Sequence, residues 1–354
     1  MSMGDFTIGD TFRVTLFGQS HGPAIGCVVD GYPAGRVIDW DQVNALMARR
    51  APGQNAWSTP RKEADAPEIL SGLNEKGETC GAPIAALIRN TNTRSQDYPD
   101  LLTTPRPGHG DYTAGLKYGE SWDYRGGGQF SARLTAPLCF AGALALQELK
   151  RRGIAVCAYI ARVGGVSAAA PDSLSPALPL YALGAFPAPD PETAERMKAE
   201  IEAARQRGDS VDGDVGCIVT GFPAGVGGPY FGGLEGKLAQ ALFGIPAVKG
   251  VSFGDTRRNG KDNNDAYCIE NGQVRTVTNH CGGILGGISN GMPLTFTLSF
   301  KPTPSIALPQ RTVNLKTMEE TEITVHGRHD PCVVPRAVPV VEAAAAIALL
   351  DLLL

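Results

Sequence analysis

A chain of 354 residues that is 43% hydrophobic and 19% charged can bury a large core, which argues against disorder and leaves room for one large domain or two. Its formal net charge of −4, with no Lys/Arg run, argues against a general nucleic-acid binder, so any anion site must be local. Cys27, Cys80, Cys139, Cys157, Cys217, Cys268, Cys281 and Cys332 are scattered singly, and residues 1–10 lack the basic-then-apolar order of a signal peptide, so a cytoplasmic protein with reduced thiols is expected.

The first signal along the chain is Gly18-Gln19-Ser20-His21-Gly22, a histidine in a glycine-flanked turn. Asp39 with Gln42 three residues later forms a capping-box pattern. Val43, Leu46, Met47 and Arg50 follow at helical spacing, so Arg49 and Arg50 end a helix where they can reach an anion. A second histidine turn is Arg106-Pro107-Gly108-His109-Gly110-Asp111. Next, Asp123-Tyr124-Arg125-Gly126-Gly127-Gly128-Gln129-Phe130-Ser131-Ala132-Arg133 brings three glycines toward a helix start near Pro137. Backbone N–H groups at such a junction can cradle a phosphate, with Ser131 and Arg133 adding donors. The Gly-Lys-Ser/Thr ending of a Walker loop is missing, which argues against a nucleotide triphosphatase.

The helix begun near Pro137 passes through Phe140, Leu144 and Leu149 to its stop at Lys150-Arg151-Arg152-Gly153. A third helix, charged and solvent-facing, is predicted from Asp190-Pro191 to Gly208. Leu294, Phe296, Leu298 and Phe300 alternate with Thr295, Thr297 and Ser299, a half-buried strand that ends at Lys301-Pro302-Thr303-Pro304-Ser305. The third histidine turn is Gly327-Arg328-His329-Asp330. Residues 338–354 are the most apolar stretch, but Pro339, Glu342 and Asp351 leave it short of the roughly 20 clean residues a membrane span needs. It reads as a buried helix. Few Val/Ile runs suit a doubly covered parallel sheet, so antiparallel sheets with one covered face, an α+β fold, are expected.

The chain also repeats itself. Gly18-Gln19-Ser20 through Gly26-Cys27-Val28-Val29-Asp30-Gly31-Tyr32-Pro33-Ala34-Gly35 recurs without a gap as Gly208-Asp209-Ser210 through Gly216-Cys217-Ile218-Val219-Thr220-Gly221-Phe222-Pro223-Ala224-Gly225. Gly81-Ala82-Pro83-Ile84 is echoed by Gly291-Met292-Pro293-Leu294. Generic turn chemistry accounts for the Gly-aromatic-Pro-Ala-Gly ending but not for the matched Gly-x-Ser and Gly-Cys upstream. Duplication is the economical reading, giving a single domain with pseudo-repeat halves at about 10–190 and 200–354. Where the first half has His21 the second has Val211.

Three histidine turns, two of them with an arginine alongside, point to acid/base chemistry on an anionic substrate: glycine permits close approach, histidine titrates near neutral pH and arginine fixes anions. Two other readings stand beside it. His326-x-x-His329-x-x-Cys332 has the look of a metal half-site, although Pro331 opposes helical presentation and no second ligand group is placed, so no metal is expected. A duplicated sandwich could also serve as a non-catalytic interaction protein.

Gly18-Gln19-Ser20-His21-Gly22, Arg106-Pro107-Gly108-His109-Gly110-Asp111, Arg125-Gly126-Gly127-Gly128 with Ser131-Ala132-Arg133, and Gly327-Arg328-His329-Asp330-Pro331-Cys332 together resemble the chorismate synthase family, in order and spacing along nearly the whole chain. The resemblance implies a β-α-β sandwich, a homotetramer, reduced FMN as cofactor, and 1,4-elimination of phosphate from 5-enolpyruvylshikimate 3-phosphate to give chorismate. It implies that Arg50, Arg106, Arg133 and Arg328 bind the substrate, that His21 neutralises the departing phosphate, and that His109 protonates or stabilises the reduced flavin. Asp330 and Ser20 would relay a proton. Flavin contacts would fall on Gln129, Phe130, Ser131, Ala247, Gly286, Lys301, Pro302, Thr303, Pro304, Ser305 and Arg328. The chain departs from the family pattern at Gln19, Ala56, Gln129 and Leu134; the lost charge at Ala56 puts one substrate or nicotinamide contact in question, with Arg61 and Lys62 nearby.

Overall fold

Every strand pairing among the described residues is antiparallel. The structure, a computed structural model, describes residues 6–53, 57, 65–91, 101–175, 185–325 and 329–354. The first sheet comprises β1 (Thr7–Ile8), β2 (Arg13–Gly18), β3 (Ala24–Asp30), β4 (Glu68–Ser71) and β5 (Ile84–Arg89), in the order β1-β2-β3-β5-β4. Helix α1 (Trp40–Arg50) leads from β3 toward β4, and α2 (Asp111–Tyr118) and α3 (Thr135–Arg151) follow β5.

The second half opens with β6 (Ala155–Val163), β7 (Val166–Ser167) and α4 (Pro191–Gln206), continues through β8 (Gly213–Thr220), α5 (Leu234–Phe243) and β9 (Val248–Phe253), and then has the short α6 (Gly260–Asn263). Two hairpins come next, β10 (Tyr267–Glu270) with β11 (Gln273–Thr276) and β12 (Ile284–Leu285) with β13 (Ile288–Ser289). Strand β14 (Leu294–Phe300), the hairpin of β15 (Gln310–Asn314) and β16 (Glu319–Ile323), and α7 (Val334–Asp351) complete the order. The second sheet runs β7-β6-β8-β14-β9. Its β6-β8-α5-β9-β14 path has the connectivity of β2-β3-α1-β4-β5 in the first.

The matched glycines have a packing cause. A Cβ on Gly26 of β3 would overlap the ring of Phe17, its partner on β2, and a Cβ on Gly216 of β8 would overlap Tyr159, its partner on β6. In each sheet an aromatic ring lies over the bare backbone of the neighbouring strand, filling space no other residue leaves open.

Helices α3 and α7 form the middle layer. α3 packs on β3 and β5, α7 on β6 and β8, and the two helices pack on each other. They are in close contact at Gly142, where any side chain would overlap the backbone of Ala343. Glu342, buried beside that contact, accepts Arg49 Nη1 at 2.7 Å and the Ala158 N–H at 3.1 Å, which ties α1, α7 and β6 together. Burial pushes its carboxyl above the usual range against the pull of Arg49. At the far end of α7, Asp351 accepts the backbone N–H groups of Asp10, Thr11 and Phe12 at 2.7–3.0 Å.

Local signals translate directly in several places. Asp39 caps α1 by accepting the Gln42 N–H at 3.1 Å, β14 buries Leu294, Phe296, Leu298 and Phe300, and residues 334–351 form the buried helix expected there. Two expectations need correction. α4 is not simply solvent-facing, since Ala194, Met197, Ile201 and Ala204 form a buried stripe. The three glycines do not lead straight into a helix: they adopt positive φ inside a 3-10 turn (Arg125–Phe130), a second such turn (Ala132–Leu134) follows, and α3 begins only at Thr135. No helix among the described residues is long and apolar enough to cross a membrane.

Candidate active site

A cavity of about 420 Å³ opens where the start of α3 meets the segments after β14 and before α7. Its wall draws Arg50 and Pro52 from the end of α1, Arg106, His109 and Gly110 from the second histidine turn, and Phe130 to Arg133 from the turns before α3. Ala247, Lys301, Thr303, Pro304 and Ser305 close one side, and His329, Asp330 and Arg336 another. Ala247 has φ +74°, a left-handed conformation that a side-chain-bearing residue rarely adopts, and is held there by the Lys301 N–H, which donates to its carbonyl at 3.0 Å.

The glycine turn lies against both predicted histidines. A Cβ on Gly126 would overlap the His21 ring, and one on Gly127 would come within 3.1 Å of His109 Cε1. Their φ values of +60° and +85° belong to the left-handed region that glycine enters without steric cost. Ser20 is buried, donates its backbone N–H to the Gly128 carbonyl at 3.1 Å, and sits with its Oγ 3.3 Å from His21 Nδ1. Ser20 and His21 thus reach the glycine turn but are not among the residues lining the cavity.

Of the predicted substrate arginines, Arg50, Arg106 and Arg133 are almost wholly buried and already engaged. Arg50 donates to Asp65 at 2.7 Å, to Thr135 Oγ1 at 2.9 Å and to the Ala132 carbonyl at 2.9 Å, which anchors the start of α3. Asp65 also accepts from Arg133, so one buried carboxylate bridges two guanidiniums. Burial, with Arg336 and Arg133 close by, pulls Arg50 down to about 10 even against Asp65, so it remains charged at neutral pH. Burial would raise Asp65, but Arg50 and Arg133 hold it below the usual carboxylate range. Arg106 pairs with Asp111 at 2.7 Å and donates to Ser305 Oγ at 3.0 Å. Asp330 accepts from Arg336 at 2.5 Å, and Arg336 also donates to the Arg50 carbonyl at 3.1 Å. Arg50, Arg106, Arg133, Arg336 and Lys301 therefore outnumber Asp65, Asp111 and Asp330, and the site carries an excess of fixed positive charge.

Other predicted residues are placed less uniformly. Ser131 lines the cavity and also a second, mainly apolar one of about 290 Å³, which Gln129 lines together with Phe6, Leu16 and Ile347. Pro302 is not among the lining residues although its neighbours are, and Gly286 sits in the β12–β13 hairpin turn, outside both cavities. Arg328, Ala56, Arg61, Lys62 and His326 lie outside the described residues. Cys332 is buried, and burial pushes its thiol up to about 12. Asp111 entered the sequence reading only as the last residue of the second histidine turn, with no role of its own, and Asp65 and Arg336 escaped it. Of those two, only Arg336 carried a signal, a charge embedded in the apolar run of α7 that burial makes costly without a partner.

A family profile described as chorismate synthase matches residues 12–354. A chorismate synthase from Methanothermobacter thermautotrophicus is 46% identical over 99% of this chain and 94% of its own length. One from Lancefieldella parvula is 44% identical over 98% of this chain and 96% of its own. Among solved structures, one described as a crystal structure of chorismate synthase superposes with a TM-score of 0.75 at 26% identity, covering 98% of this chain and 92% of that one. The chain is therefore a member of the chorismate synthase family of lyases.

Proposed function

We propose that the protein is a chorismate synthase that eliminates phosphate in a 1,4 sense from 5-enolpyruvylshikimate 3-phosphate, with reduced FMN as cofactor, to give chorismate. The observation that carries this reading is the convergence on one cavity of Arg50, Arg106, Arg133, His109, Lys301, Thr303, Ser305 and Asp330, drawn from distant parts of the chain. The substrate bears a phosphate and two carboxylates, and a guanidinium fork matches pairs of oxygens on either group. Arg50, Arg106, Arg133 and Arg328 are the proposed source of that charge, with Arg50 and Arg106 held in place by Asp65 and Asp111.

The donor set suits FMN. Phe130, Ile245, Pro246 and Val340 give an apolar wall for its ring, and Lys301, Thr303 and Ser305 offer a cation and hydroxyls for its phosphate. Gln129, Ser131, Ala247, Gly286, Pro302, Pro304 and Arg328 complete the proposed contacts. When bound, reduced FMN supplies the electron density that makes C–O and C–H cleavage feasible. The protein's own task is to bind, orient and move protons. His21 neutralises charge on the departing phosphate, His109 holds or gives a proton on the flavin side, and Asp330 with Ser20 carries away the proton released from carbon. The same reading makes the protein a cytoplasmic homotetramer whose single domain arose from halves at about 10–190 and 200–354; the repeated strand order supports that duplication.

The deciding experiment is anaerobic release of inorganic phosphate from 5-enolpyruvylshikimate 3-phosphate by purified protein with reduced FMN. Release that stops when either component is omitted is expected. No release with both present overturns the assignment.

A further inference from the structure

Asp111 is the first residue of α2, and its carboxylate has no exposed surface. Its oxygens accept the Arg106 backbone N–H at 3.1 Å, Arg106 Nε at 2.7 Å, Arg106 Nη2 at 2.9 Å, and His109 Nδ1 at 2.6 Å. Burial opposes ionisation, but the N–H groups of Arg106 and His109 hold this carboxyl well below the usual range. The positive end of the helix dipole adds to their effect. An ionised carboxylate only accepts hydrogen bonds, so His109 Nδ1 must be the donor in the short contact between them.

The rest of the ring is constrained as well. Arg106 Nη2 lies 3.1 Å from His109 Nδ1 and 3.3 Å from Nε2. No in-plane donor can serve both lone-pair directions at once, so the guanidinium stacks on the ring rather than capping either nitrogen. The Cε1–Nε2 edge faces Gly127, where a Cβ would stand 3.1 Å from Cε1 and 3.3 Å from Nε2. A residue larger than glycine would crowd this edge. Among the described residues, Lys301 is bound to the Gly108 carbonyl, His21 lies against Gly126, and Arg133, His329 and Asp330 line the same cavity as His109.

We propose that Asp111 is a positioning residue that locks the hydrogen of His109 on Nδ1, so that every proton His109 exchanges with a ligand passes through Nε2. The exchange rests on the role given to His109 above; the locked tautomer does not. Long-range proton–nitrogen NMR of protein labelled with ¹⁵N-histidine, titrated over about pH 5–8, tests it, with the His109 ring signals identified by their loss in His109→Gln. Nδ1 should stay in the protonated range throughout while Nε2 alone moves between lone-pair and protonated positions. Titration at Nδ1, or two nitrogens averaged as a tautomer mixture, overturns the proposal. Asp111→Asn, whose amide both donates and accepts, should give that averaged mixture and Asp111→Glu should restore the lock; a lock that survives in Asp111→Asn removes Asp111 from the role. Should Asp111→Asn fail to fold, the wild-type titration and Asp111→Glu still decide. A locked tautomer in protein that releases no phosphate would defeat the proposed function and leave this inference standing.

Discussion

The segment entering β3 and the segment entering β8 share Gly-x-Ser spacing but do different work. In the first, Ser20 and His21 press against the glycine turn beside the cavity. In the second, Ser210 Oγ donates to the Thr303 carbonyl at 2.7 Å and the Val211 N–H to the Pro331 carbonyl at 2.8 Å. Thr303 in turn donates to the Asp330 carbonyl at 2.9 Å, so this second segment ties together two stretches of the cavity wall. One copy of the motif sets a hydroxyl and an imidazole against the glycine turn, and the other braces the backbone of the cavity wall. The two halves share strand connectivity, and the side chain at the histidine position differs between them, His21 in one and Val211 in the other.

His21→Val, which gives the first segment the side chain of the second, should break this contrast most severely. Single-turnover phosphate release should fall by roughly 10²–10⁴-fold, the range for a positioned acid or base, with little change in Tm. Near-normal turnover would reduce His21 to a packing residue. Asp65→Asn should be the largest stability change in the first half, about 3–5 kcal/mol by urea denaturation, because it leaves Arg50 and Arg133 buried without their shared carboxylate. A loss below 1 kcal/mol would show that the bridge is dispensable.

The halves should also differ in acid. Asp65 and Asp111 have folded-state pKa values below their unfolded ones, so their stabilisation is present above about 3.9 and is lost as pH falls through the folded values. Glu342, on α7, has the opposite shift: its contribution is greatest below about 4.3 and is lost as pH rises through its folded value. Urea midpoints measured against pH should therefore show a shallower acid limb for Asp65→Asn and a shallower decline above that range for Glu342→Gln. Slope changes of the same sign in both variants would contradict these assignments. Ser210→Ala should have the smallest effect, about 1 kcal/mol for one lost hydrogen bond, with substrate KM rising more than kcat falls as Thr303 loosens. A turnover loss as large as that of His21→Val would erase the distinction between the two segments.

What could be read from the sequence is what is local. The Asp39–Gln42 cap, the alternation along β14 and the apolar run of α7 each depend on neighbours within a turn or two, so pattern sufficed. On α4 the buried stripe of Ala194, Met197, Ile201 and Ala204 has helical spacing, but abundant charge on the other face masked it. Arg50, Arg106 and Arg133 were legible by residue type, whereas Arg336 and the shared partner Asp65 were not. Asp65 lies 68 positions from Arg133, and nothing in one sequence distinguishes that carboxylate from any surface aspartate. Likewise the three glycines were legible as a turn, whereas the fit of that turn against two histidines exists only once distant segments are packed.

The carboxylate of Asp351 has a consequence for how the molecule is made. It binds backbone N–H groups of residues 10–12 across a separation of up to 341 positions, and it belongs to the helix that fills the space beside α3. During synthesis the strands of the first sheet leave the ribosome long before that helix exists. Contacts of such range slow folding, and the emerging chain must keep an apolar face uncovered in the meantime. Refolding from denaturant is accordingly expected to be slow and concentration-sensitive, and nascent chains stopped before residue 334 should bind chaperones until α7 (Val334–Asp351) is added.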